Sequence, residues 1–206
     1  MLKRLHRWNA AILGLYLAAH LANHAVLVLG VDAHLAVMSA LGRIYRVPPV
    51  EVILLALLAV QIALGLALAL RRGRPREGWA WAQVLSGLYL VFFLIQHVPA
   101  VLLARRSDMV PETDSHFAAA VLSEPLFAAY FGPYYVLAVT AIFTHLAAAW
   151  RFAIWPRPAH AGHIILPVAG LALGLMAVLV LSGVWGDYTL PPAYAAYLEQ
   201  FRQAGQ

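Results

Sequence analysis

Residues 79–104, WAWAQVLSGLYLVFFLIQHVPAVLLA, run for 26 positions without a lysine, arginine, aspartate or glutamate. Wound as an α-helix at about 1.5 Å per residue, such a stretch exceeds the roughly 30 Å of hydrocarbon in a bilayer. Apolar and polar positions do not alternate with a period of two, so a strand is excluded. One polar, titratable side chain, His97, lies deep within the run. An imidazole at bilayer depth is costly unless it faces the bundle interior and finds a partner there.

Four further stretches have the same character, at 9–30, 49–71, 128–153 and 164–186. The whole chain is 63% apolar and 11% charged, with a mean hydropathy of +0.77. Soluble domains are about 25% charged. The expectation is an all-α integral membrane protein, a single domain over 1–206 with five transmembrane helices: a four-helix bundle made by the first four, and a peripheral fifth. The first stretch is read as a retained span and not a cleaved signal, because its apolar run has full length and carries His20 and His24. With no cysteine, the chain builds neither a disulfide nor a thiolate-held iron–sulfur cluster.

The formal charge of +5 is no nucleic-acid signal, because the bases sit at span ends. Lys3, Arg4, Arg7, Arg71, Arg72, Arg74, Arg76, Arg151 and Arg157 fall on the side of the N-terminus, against Glu77 alone. Arg43, Arg46, Arg105, Arg106 and Arg202 fall on the other, with Asp32, Glu51, Asp108, Glu112, Asp114, Glu124, Asp187 and Glu199. The excess of bases predicts a cytoplasmic N-terminus and a C-terminus outside, and Trp8, Trp79, Trp81, Trp150 and Trp155 form an aromatic belt at the cytoplasmic ends. In the outer connection 105–127, Ser115 is placed to cap a short surface helix.

Two more imidazoles lie within spans, His20 in LAAHLANH and His145 in AIFTHLAA. Histidine is the commonest metal ligand, and in a helical bundle without other ligands the metal it suggests is haem iron. His145 lies roughly 12 Å from the cytoplasmic end of the fourth span and His97 roughly 10 Å from the outer end of the third, so the two mark separate levels. Toward the outside His97 has two potential partners, His20 and His24. Toward the inside the second span offers no histidine to His145, and Gln61 stands at the matching depth. His6, His34, His116, His160 and His163 read as solvated positions near termini or loops.

The wording of these segments resembles the single-chain, five-helix cytochrome b subunit of succinate:quinone oxidoreductases and quinol:fumarate reductases. The likeness is carried by RLHRWNAAILGLYLAAHL, PPVEVILLALLAVQIALG, WAWAQVLSGLYLVFFLIQHV and LSEPLFAAYFGPYYVLAVTAIFTHLAAAWRF, over roughly residues 4–155. It implies a haem-b-bearing anchor in a bacterial cytoplasmic membrane, with His20 and His97 as the axial pair of the outer haem and His24 as the alternative to His20. His145 would hold an inner haem, but Gln61 replaces the family's histidine opposite it, so one haem is expected and the inner level carries either a haem held from one side only or none. An iron–sulfur subunit and a flavoprotein subunit would dock on the basic cytoplasmic face, with membrane quinone as substrate, and the resemblance leaves room for a homo-oligomer of that complex. Glu51, at the outer mouth of the second span, is the expected quinone-binding and proton-exchanging carboxylate, and Arg46, Arg105 and Arg106 are expected partners of haem propionates. Gly14, Gly65 and Gly87 are small-residue positions that let helices, or a flat macrocycle, approach closely. The competing classes are a haem b anchor of a hydrogenase or formate dehydrogenase type enzyme and a haem-free structural or transport subunit.

Overall fold

The computed structural model describes residues 1–106, 112–154, 157–158, 160–186 and 188–204, with the backbone alone from 200 onward. Trp155, Asp108 and Asp187 lie outside the described residues, as does the side chain of Arg202. Among these residues eight α-helices follow in order: α1 Leu2–Ala25, α2 Val31–Tyr45, α3 Pro48–Arg72, α4 Gly78–Arg106, α5 Ser115–Ser123, α6 Pro125–Ala153, α7 Gly162–Leu181 and α8 Pro192–Ala204. Among the described residues there is no strand. Five segments are long and apolar enough to cross a membrane: Leu2–Leu29, which is α1 with a terminal 3-10 turn, and α3, α4, α6 and α7.

Helix boundaries follow local chemistry. Pro48 and Pro49 open α3, where a missing N–H costs nothing. Gly73 closes it at φ +71°, a conformation that a side chain would strain. Gly183, at φ +72°, ends the fifth membrane segment near 181, short of the expected 186. The 31–48 connection is a finding of its own, because it contains the 15-residue helix α2, too short to span and only moderately apolar. Helix α5 occurs where a surface helix was expected, but its cap is Asp114, not Ser115: the Asp114 carboxylate accepts from the His116 and Phe117 N–H groups at 2.8 and 3.2 Å. Ser115 is buried instead.

Helices α1, α3, α4, α6 and α7 pack in that order around a ring, which α7 closes onto α1. Asn9 ties α1 to α3 by donating to the Leu57 carbonyl at 2.8 Å. Between α4 and α6, the hydroxyl of Tyr134 donates to the Phe93 carbonyl and that of Tyr89 to the Tyr134 carbonyl, at 2.9 and 3.0 Å. In lipid, where water cannot satisfy these groups, such bonds specify which faces meet. Helices α1 and α6 do not pack on one another directly; α7 lies along α6 and also touches α1. Gly170 and Gly174 permit that close seam, since a Cβ at either would come within 2.8 Å of Phe143 or 3.0 Å of the Val136 backbone.

The end of the bundle away from the N-terminus is capped by α2, α5 and α8. Leu27, Ala119, Leu122, Val180 and Leu181 form one apolar cluster there, and Ala120, Tyr194 and Leu198 another. Asp114 also accepts from the Tyr194 hydroxyl at 2.9 Å, and His116 bonds the Tyr188 hydroxyl. Burial first, and then the Asp114 charge, pushes the Tyr188 phenol up to about 12, so it stays protonated and able to donate.

Candidate functional site

Helix α1 carries a polar stripe of His6, Asn9, Tyr16, His20 and Asn23 at intervals of three, seven, four and three residues, which a 3.6-residue period places on one face. That face points into the ring, and the interior polar groups gather at two levels along it.

At the level nearer the N-terminus stand His6, Asn9, Gln61 and His145. The Nδ1–H of His145 donates to the Gln83 carbonyl at 3.1 Å, with Ser86 Oγ at 3.2 Å. A carbonyl can only accept, so Nδ1 holds the proton and Nε2 keeps its lone pair. All hydrogen bonding of the ring is at Nδ1, and the ring keeps accessible surface although it sits deep among helices. Gly87 allows the ring to rest on α4, since a Cβ there would lie 3.1 Å from its Cε1. Gln61 faces α1. Its Oε1 accepts from Asn9 Nδ2 at 2.8 Å and its Nε2 lies 3.3 Å from His6 Nε2.

At the far level His20, His24, His34 and His97 converge from α1, α2 and α4. The Nε2 atoms of His20 and His24 are 3.3 Å apart, and the His24 and His34 rings are 5.5 Å apart. His97 stacks on Phe93 at 4.8 Å and lies within electrostatic reach of His20 and His24. It makes no hydrogen bond among the described residues, and like His20 it keeps accessible surface while enclosed by protein.

Tyr16 links this level to α3 and α4: it stacks on His20 at 5.7 Å and lies within electrostatic reach of Glu51 and Arg105. Glu51 and Arg105 form an ion pair, their side chains 30% and 23% exposed, so the carboxylate is no isolated acid at the lipid edge. Arg46 pairs with Glu112 at 3.7 Å. Two of the three arginines expected at propionates therefore have protein carboxylates as partners.

Three histidines differ from their solvated reading. His34 is 2% exposed and receives a hydrogen bond from Asn23 Nδ2 at 3.1 Å, and His163 is fully buried between Trp150 and Trp79. His6 faces the ring interior. The stripe on α1 was the available signal for His6, since the period that places His20 inward reaches back to it through Asn9; His34 had none, because α2 reads as a loop.

Burial, with the His20 charge adding to it and Asp114 opposing, lowers the His34 imidazole to about 4 from its ordinary 6.5. An unfolded His34 takes up its proton near 6.5 and the folded one only near 4, so the outer cap loses stability as pH falls through that window. Thermal melting in detergent between pH 7 and 4.5 should show a declining midpoint in the parent chain and a shallower decline in His34→Gln. Equal slopes would contradict the assignment.

Among the described residues no three histidine, cysteine, aspartate or glutamate groups converge as a cage for a bare metal ion. The imidazoles are distributed over different helices. An iron already held in a porphyrin plane needs only one or two such rings, each with an open nitrogen and a fixed orientation. His145 meets that requirement through its Nδ1 anchor, and His97 through its open nitrogens. Comparison with known proteins adds no family: no family model, no curated protein and no solved structure matches the chain.

Proposed function

We propose that the chain is a haem-b-bearing membrane anchor of the succinate:quinone oxidoreductase and quinol:fumarate reductase kind, which passes electrons between an iron–sulfur partner and membrane quinone. The observation that carries this reading is the far-level histidine group, in which His97 of α4 lies within electrostatic reach of His20 and His24 of α1 and makes no hydrogen bond among the described residues. Haem b held there would supply reversible one-electron transfer. His97 and His20 would hold that haem, with His24 beside His20, their Nε2 atoms 3.3 Å apart. The basic N-terminal face, with Arg71, Arg72, Arg74 and Arg76 between α3 and α4, favours a cytoplasmic orientation and offers a docking surface to a soluble iron–sulfur subunit and its flavoprotein. On this reading the chain sits in a bacterial inner membrane with its C-terminus outside.

Glu51 is the quinone-side residue in this account. Its partner Arg105 holds it at the outer mouth of α3, and Tyr16 lies between that pair and His20. A quinone headgroup there would be within reach of a proton acceptor and close to the outer haem. Addition of a quinol to the air-oxidised protein should produce a reduced b-type spectrum, and Glu51→Gln should slow that reduction at least tenfold without lowering haem content. A spectrum unresponsive to quinol, or reduced at the parent rate by Glu51→Gln, would count against this role.

A further inference from the structure

Gln61 is a poor iron ligand, yet the half of the bundle near the N-terminus contains a second imidazole. We infer that His6 of α1 and His145 of α6 form a second axial pair, so that this level holds its own haem; the inference rests on the haem-anchor reading above.

Four observations carry it. First, His6 lies in the half of the bundle that holds His145: its ring meets Gln61 and stands beside Gly65 of α3, within electrostatic reach of His145. Second, the local hydrogen bonds fix its tautomer. Asn9 Nδ2 donates both to the Leu57 carbonyl and to Gln61 Oε1, at 2.8 Å each, which turns the Gln61 amide nitrogen toward His6 Nε2. His6 Nε2 must accept, so its lone pair is on the nitrogen that most often binds haem iron, and it is met only by an amide at 3.3 Å.

Third, the purely structural role is half satisfied. His6 Nδ1 then carries the proton, buried and without an acceptor. An unmet buried donor is costly, an arrangement that a histidine kept only for hydrogen bonding would not favour. Fourth, both rings rest against glycines, Gly65 beside His6 at 3.5 Å from a Cβ position and Gly87 beside His145 at 3.1 Å, while α1 and α6 do not pack directly on one another. His145 contributes the complementary half with Nδ1 anchored and Nε2 free. Gln61 is a positioning residue beside His6.

The test is haem quantitation on the purified full chain, with low-temperature paramagnetic resonance to count low-spin haems. The parent should hold two haems per chain. His6→Ala and His145→Ala should each hold one, with the outer haem signal retained as evidence of folding, and Gln61→Ala should keep both. The double variant His6→Ala, Gln61→His should recover the second haem, and His6→Met should keep it at a raised reduction potential, as thioether ligation does. A parent with a single haem, or two haems in His6→Ala, overturns the inference and leaves the outer pair standing. A parent with none overturns the anchor reading itself.

Discussion

Replacement of His97 by alanine is expected to remove the proposed outer haem entirely, a loss of one full equivalent per chain, whereas His24→Ala should retain it. The asymmetry comes from geometry. His97 is the imidazole of α4, stacked on Phe93, and no other ring on that helix can take its place. On α1 there are two neighbouring rings, but His20 continues the inward stripe through Asn9 and Tyr16 while His24 turns toward His34 of α2. Loss of His24 removes a hydrogen bond to His20 and should broaden or shift the spectrum, not erase it. Difference spectra of the two variants check this. Loss of signal in His24→Ala with retention in His20→Ala would exchange the roles of the two residues.

Gly174→Val should produce a large stability defect. A Cβ at 174 would lie 3.0 Å from the Val136 Cα and 3.1 Å from its carbonyl oxygen, both backbone atoms that cannot rotate away. The seam between α6 and α7 must open to admit it. Overpacking costs about 1–3 kcal/mol where side chains can yield, and a contact with backbone belongs at or above the upper end. In membrane helices this is the expected use of small residues, which exchange side-chain bulk for close helix approach. Unfolding in mixed micelles, followed by helicity, should shift to lower denaturant for Gly174→Val. Gly14→Ala is the control, since a Cβ at 14 has no atom within 4 Å. Equal midpoints for the two variants would contradict the packing described for this seam.

The spans were legible because lipid imposes a blunt rule. Twenty or more apolar residues without charge have one stable form, and Pro48, Gly73 and Gly183 mark ends that backbone conformation alone dictates. Short helices were harder. Helix α2 has neither the length of a span nor strong turn signals, and what makes it a helix is packing against α1, α3 and α5. Helix α5 was anticipated from its apolar run, but its cap was assigned one residue late, since Asp114 and Ser115 are both good caps and only tertiary contact with Tyr194 favours Asp114. The candidate site was legible where histidines lie in mid-span. It was obscured for His6, because a residue near the end of a span is at the surface only if its helix stops at the membrane face, and α1 begins at Leu2. In the sequence Glu51 looks like a carboxylate near lipid because its partner, Arg105, is 54 residues away in the chain.

The central claim is that iron porphyrin is held between α1 and α4 by His20 and His97. Pyridine haemochrome quantitation of the purified chain tests it most directly. The account predicts at least one b-type haem per chain, with a low-spin spectrum that vanishes from the outer level in His97→Ala. A folded, helical chain that purifies without haem and takes up none when haem is supplied would contradict it.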